Sequence, residues 1–214
     1  DGLVFTPIDD AKIAREIGVY AAAGKPAVTV TADVEGSDRV LYVGCDYYKS
    51  GQTAAKITAL ATGGQGEVAI VTGSFKMLGH NDRVRGFRSV LKDTDLRVAE
   101  ILECNDDDKT AYEKTARLLK NRPALCAVYV AAAGVAGTVE AVAESGVPLF
   151  IIANDLIPAT REYVRQGRVL ATIDQQPARQ GYAALKNMFD ILLGERPANE
   201  RFYTDLAIRM QYNI

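Results

Sequence analysis

The chain has 214 residues, with 25 Lys+Arg against 27 Asp+Glu and a formal net charge of -2. That balance gives no bulk electrostatic drive towards nucleic acid. A composition of 48% hydrophobic and 24% charged residues excludes an intrinsically disordered chain, and no segment approaches the roughly 20 apolar residues of a membrane span.

In chain order, short apolar runs alternate with segments of helical spacing. Leu3–Phe5 reads as a strand, followed by a helix with Ile13, Ile17, Tyr20 and Ala21 on one face and Gly24 at its end. Ala27–Thr31 is the next strand. The polar stretch after it carries Asp33, Glu35, Ser37, Asp38 and Arg39 and ends in the apolar run Val40–Val43. Ala32–Tyr47 is the longest segment between a strand and its helix, and there the chain is expected to pass between lobes. A helix follows with Ala54, Ile57 and Ala61, then the strand Glu67–Val71 and a helix with Val84, Phe87 and Leu91. Arg97–Ile101, Cys126–Val130, Leu149–Ala153 and Leu170–Ile173 are further strands. The helices between and after them carry Tyr112, Ala116 and Leu119, then Val135, Val139 and Val142, and finally Leu185, Phe189 and Leu192. Pro177 is placed as a first-turn proline. Continuous Val/Ile/Leu/Ala runs are how strands buried on both faces of a parallel sheet read. Seven strand–helix repeats predict an α/β, doubly wound parallel fold.

Cys45, Cys104 and Cys126 are odd in number and scattered, which argues against a disulfide framework and towards a reducing cytoplasm. No CxxC spacing occurs, and His80 is the one histidine, so neither a zinc site nor another metal centre is expected. Asp106-Asp107-Asp108 precedes a helix, where acids complement the dipole and cap the first turn. No cofactor is expected. Gly63-Gly64-Gln65-Gly66 precedes a strand instead of following one, so it is a helix end and not a dinucleotide fingerprint. Thr72–Gly79 lacks the Gly-Lys-Ser/Thr of a phosphate loop, and no Gly-x-Ser-x-Gly elbow is present, so no catalytic residue is assigned and the chain is not expected to be an enzyme.

Open α/β sheets bind ligands beyond the carboxyl ends of their strands. The residues there are Thr6, Thr31, Thr72–Phe75, Glu103–Asp107, Ala131–Gly134, Asn154-Asp155 and Asp174–Gln176, with Arg83 expected in the first turn of the helix after Ser74. Carboxylates, amides, hydroxyls and an Arg fork suit a polyhydroxylated small molecule.

Four segments together resemble the type I periplasmic-binding-protein superfamily: Val43–Gly51, Arg83–Phe87, Asn154–Thr160 and Ala171–Pro177. Gly79–Phe87 and the block from Asp155 to Gln176 look more like its LacI-type transcriptional regulators. The resemblance implies two doubly wound parallel-sheet lobes joined by a three-strand hinge, with a sugar or related effector between them. The N-terminal lobe would comprise 1–45 plus 176–204, and the C-terminal lobe 46–175 plus 205–214. The chain opens on a strand, so the first lobe is expected to be incomplete, with roughly 60 further residues in two β/α units ahead of Asp1. Carried over residue by residue, Asp46, Asn81, Arg83, Asn154, Asp155 and Gln175 are the ligand-binding candidates. Asp46 equally reads as an N-cap of a helix starting near Ser50, Arg83 as a surface residue and His80 as a solvated first-turn residue. The place where many relatives carry Asn-Asp reads Ala131-Ala132-Ala133-Gly134 here, and Asp107 stands about where an aromatic ring is frequent. With no Trp in the chain, stacking would fall to Tyr47, Tyr48 or Phe75. The implied function is an effector-binding domain of a LacI-type regulator, a homodimer acting on operator DNA through a headpiece outside this sequence and having no membrane partner. The alternative is a periplasmic sugar-binding receptor of an ABC transporter.

Overall fold

The computed structural model describes residues 1–214. The chain forms two compact units, Asp1–Asp46 with Gln175–Leu206, and Tyr47–Asp174 with Ala207–Ile214.

The first unit is built on a four-stranded parallel sheet in the order β1 (Leu3–Phe5), β2 (Ala27–Val30), β3 (Leu41–Gly44), β9 (Arg201–Tyr203). Helix α1 (Ala11–Ala22) is capped by Asp10, whose side chain accepts from Lys12 N–H, and it buries Ile17 against Ala27 and Val34. Helix α7 (Pro177–Leu192) starts on its predicted proline and packs Ala183, Ala184 and Met188 against Val28, Leu41 and Val43. Its opposite face leaves Tyr182, Leu185, Phe189 and Leu192 exposed. The polar stretch after β2 is a loop of this unit and holds no helix. Asp33 organises it, accepting from Thr29 Oγ1, Val34 N–H and the Arg39 guanidinium, and Val34 is buried beneath. The run Val40–Val43 is thus the start of a strand that pairs parallel to β2.

The second unit holds a six-stranded sheet. Its order is β10 (Ala207–Arg209), β8 (Ala171–Asp174), β7 (Phe150–Asn154), β6 (Leu125–Val130), β4 (Gln65–Thr72), β5 (Asp95–Glu103). All pairs are parallel except the edge strand β10, which runs antiparallel to β8. The apolar runs of β4, β6 and β7 are buried because helices cover both faces of a parallel sheet. The helices are α2 (Tyr47–Thr62), α3 (Leu78–Leu91), α4 (Asp108–Asn121), α5 (Val135–Ser145) and α6 (Pro158–Arg165). Two glycines let α2 and α3 touch backbone to backbone. A Cβ at Gly51 would collide with the Arg83 carbonyl, and one at Gly86 with the Tyr48 carbonyl. Phe87, one residue on, is fully buried and stacks on Tyr129 of β6 at 4.8 Å between ring centroids.

Candidate functional site

The backbone marks the carboxyl edges of the sheets. Five non-glycine residues adopt positive φ: Thr31 after β2, Asn105 and Asp106 after β5, Asp155 after β7, and Gln176 after β8. Such conformations cost about 1–3 kcal/mol each and persist only where their surroundings fix them. Thr31 is β-branched, so its φ of 66° is the most costly of the set.

In the second unit this edge carries a cluster centred on Arg83. The side chain is 2% exposed, and it lies in the second turn of α3, not in the first turn or on the surface. Its Nη1 donates to the Ala131 carbonyl at 2.6 Å, its Nη2 lies 3.8 Å from Asp155 Oδ1, and its guanidinium sits over the Tyr47 ring at 4.9 Å. A planar cation held on three sides is preorganised. Asp155 is held by its backbone, with N–H to the Ile173 carbonyl and its own carbonyl accepting from Thr172 Oγ1. Its side chain is 37% exposed and offers carboxylate oxygens at the rim.

Asn154 departs from expectation. It is 1% exposed, its Oδ1 accepts from Ser50 Oγ at 2.8 Å and its Nδ2 donates to Tyr129 Oη at 2.6 Å. Both ends of the amide are committed within the core, so it anchors β7 beneath Asp155 instead of facing a ligand. Asn81, in the first turn of α3, staples the loop before that helix, donating from Nδ2 to the Phe75 carbonyl at 2.7 Å. His80 is half-buried, not solvated, and its Nδ1 accepts from Ser74 N–H at 3.0 Å. Burial holds its pKa below the ordinary 6.5, and Arg83 adds to this, while Asp106 and Asp155 oppose it.

The three consecutive aspartates are each spent on structure. Asp106 Oδ1 accepts from Ala133 N–H, Asp107 caps α4 through Thr110, and Asp108 Oδ1 accepts from Gly137 N–H. The Thr110 bonds hold the Asp107 carboxyl below its usual range. No group of three or more His, Cys, Asp or Glu side chains is arranged to hold a metal ion.

Asp46 and Gln175 fall in the first unit. Asp46 immediately precedes α2, which starts at Tyr47 and so earlier than the expected Ser50. Gln175 Oε1 accepts from the Cys45 thiol at 3.1 Å, and its carbonyl accepts from Thr204 Oγ1 and Gln180 Nε2. Thr31 Oγ1 donates to Gln180 Oε1. The supporting roles of Ser50, Tyr129 and the Ala131 carbonyl carry no sequence signal, because each depends on a partner remote in the chain.

The profile of the periplasmic binding protein domain matches residues 1–196. The chain belongs to this family. A relative is the ribose import binding protein RbsB of Bacillus subtilis (strain 168), 27% identical over 197 residues, covering 92% of this chain and 64% of that protein. The D-ribose/D-allose-binding protein of Pseudomonas aeruginosa is 24% identical over 213 residues, covering 94% of this chain and 66% of its own length. The chain thus spans just under two thirds of the curated relatives it matches. Among solved structures, GanP, a glucose-galactose binding protein from Geobacillus stearothermophilus, superposes with a TM-score of 0.92 at 30% identity, covering 100% of this chain and 78% of GanP. The periplasmic binding protein chain described here has the α/β architecture and parallel sheets of that family.

Proposed function

We propose that this periplasmic binding protein domain is the sugar-binding part of a receptor that delivers its cargo to a membrane importer. The observation that carries the reading is the pair Arg83 and Asp155, a buried guanidinium fork beside a rim carboxylate. A carboxylate accepts from one sugar hydroxyl while the fork donates to its neighbour, and both groups are fixed before ligand arrives. Asp46 and Gln175 join the proposal as further ligand contacts, whereas Asn81 and Asn154 act by holding the loop before α3 and the strand β7.

The relatives favour a receptor over the LacI-type regulator that the motifs suggested, since those named above are import or sugar-binding proteins. The receptor reading carries with it a location outside the cytoplasmic membrane, in place of the cytoplasm expected from the free thiols. The thiols accommodate this. Cys45 and Cys104 are buried, and burial raises the pKa of both Cys104 and Cys126, which suppresses the reactive thiolate. No helix is long and apolar enough to cross a membrane.

The test is a thermal-shift titration with D-ribose, D-allose, D-glucose and D-galactose. A bound sugar raises the midpoint in proportion to the logarithm of its concentration over its Kd. At least one sugar is expected to do so, and Asp155→Asn is expected to weaken that binding at least about tenfold by removing a charged acceptor. A full response in Asp155→Asn would displace the site, and no response to any sugar would overturn the reading.

A further inference from the structure

At the carboxyl edge of its sheet the first unit buries the amide of Gln180. This residue is the fourth of α7 and is 2% exposed. Its side chain runs back past the start of the helix, the direction in which helical side chains lean. There Nε2 donates to the Gln175 carbonyl at 2.9 Å and to Thr204 Oγ1 at 3.4 Å, while Oε1 accepts from Thr31 Oγ1 at 3.1 Å. One amide thus ties the turn after β2 to the segment before α7, across 149 residues of sequence.

We propose that Gln180 is a positioning residue of the sugar site: its buried amide holds the Thr31 turn and the Gln175 backbone in the geometry that meets ligand, without touching ligand itself. The inference rests on the sugar-binding reading, in which Gln175 is a contact, and adds the group that keeps that contact in place.

Backbone geometry is the first argument. Thr31 and Gln176 are the non-glycine residues of this unit with positive φ, 66° and 58°. Such conformations persist only where their surroundings fix them. Gln180 holds the Thr31 hydroxyl and also the carbonyl of the Gln175–Gln176 peptide, whose plane sets φ of Gln176. The Gln176 side chain offers no substitute, because it makes no cap bond to α7 and donates instead to the Asp205 carbonyl. Tyr42 Oη donates to the Thr31 carbonyl at 3.1 Å, and Thr204 Oγ1 donates to the Gln175 carbonyl at 3.0 Å. Both tied points are therefore held from two sides.

The choice of residue is the second argument. The core face of α7 is otherwise Ala183, Ala184 and Met188. An apolar side chain would fill the position of Gln180 without loss of hydration, whereas a buried amide is penalised unless both of its ends are paired. Both ends are paired, and the partners lie at the carboxyl edge of the sheet, where α/β folds bind ligands.

The test is isothermal titration of the whole chain with D-ribose, D-allose, D-glucose and D-galactose, alongside urea unfolding. Gln180→Met keeps the bulk and loses the amide. A site in its binding geometry only about a tenth of the time binds about tenfold more weakly. For a sugar that the wild type binds, Gln180→Met is expected to raise Kd by about that factor. A role in stability alone would lower the urea midpoint and leave Kd unchanged; that outcome would overturn the proposal and leave the sugar reading standing. Gln180→Glu supplies a second readout. As a carboxylate it accepts from Thr31 but cannot donate to the Gln175 carbonyl; protonated, it does both. Burial raises a carboxyl pKa, so the proton returns between about pH 8 and pH 5. The Kd of Gln180→Glu divided by that of the wild type is expected to fall about tenfold over this range. Taking the ratio removes the influence of Tyr42, Cys45, Arg179 and Asp205, which bond to the same segments in both proteins. A ratio that does not change with pH would also overturn the proposal. Binding of none of the four sugars by the wild type would remove both the proposal and the sugar reading.

Discussion

Asn154 and Asp155 are adjacent in sequence and have opposite surroundings. The first is sealed in the core between Ser50 and Tyr129; the second turns out at a φ of 69° and keeps its carboxylate at the rim. The motif pointed to both, because a motif records residue types and not the direction in which a side chain leaves the backbone. Arg83 was legible as a candidate. Its burial was not, since that depends on Tyr47 and on the Ala131 carbonyl 48 residues away. His80 yields a prediction at this scale. Its Nδ1 accepts a hydrogen bond from Ser74 N–H, which requires the neutral ring, and burial lowers its pKa below 6.5. Asp106 and Asp155 pull the other way and Arg83 reinforces the shift. As pH falls through about 6.5, the unfolded chain takes up a proton that the folded chain refuses, so stability falls until the lowered folded pKa is reached. His80→Asn removes this titration. Between about pH 7.5 and pH 5.5, the urea midpoint of the wild type is expected to fall more than that of His80→Asn. Equal falls would contradict the assignment.

At the scale of elements, the extents of the long helices and the buried central strands are legible, because their periodicity or their continuous apolar character runs over many residues; on α7, however, the apolar stripe Leu185, Phe189 and Leu192 is the exposed face, and Ala183, Ala184 and Met188 form the core face. β3, β9 and β10 are not legible, being only three or four residues each and fixed by pairing with distant partners. For β3 the one sequence signal is the short apolar run Val40–Val43 at the end of a polar stretch. The glycine of the Arg83–Phe87 motif has a physical reason at this scale. Gly86 and Gly51 allow α2 and α3 to meet, and that contact sets where Arg83, one turn earlier on α3, emerges. Gly86→Ala drives a methyl group into the Tyr48 carbonyl and is expected to cost about 1–3 kcal/mol in urea unfolding. It is also expected to weaken sugar binding by displacing Arg83. Gly181 is the contrasting case. It lies on the exposed side of α7, a Cβ there would meet nothing within 4 Å, and Gly181→Ala is expected to gain about 0.5–1 kcal/mol. Equal effects of the two substitutions would show that helix propensity, and not the close crossing, governs Gly86.

At the scale of the whole molecule, the two units have separate cores. Val28, Leu41, Val43 and Met188 centre one cluster of the first unit, with Ile17, Ala27 and Val34 in another, while Ala69, Val128, Val130 and Ile151 belong to the larger core of the second. The first unit rests on four strands and two helices, and one of those helices leaves Tyr182 71% and Leu185 64% exposed. It therefore buries less apolar surface for each residue it orders, and hydrophobic burial scales with that area. Chains made of two such units depart from a single all-or-none transition. Heating the ligand-free chain in a calorimeter is expected to give two transitions, the first unit melting at the lower temperature. Val28 and Val128 are each 0% exposed, one in each unit, and truncating either to Ala is expected to cost about 1–3 kcal/mol. For a unit of the first one's size, each kcal/mol displaces the midpoint by roughly 4–8 °C. Val28→Ala should therefore lower the first transition and leave the second in place, and Val128→Ala should do the reverse. A single transition, moved equally by both substitutions, would mean that the two cores unfold as one.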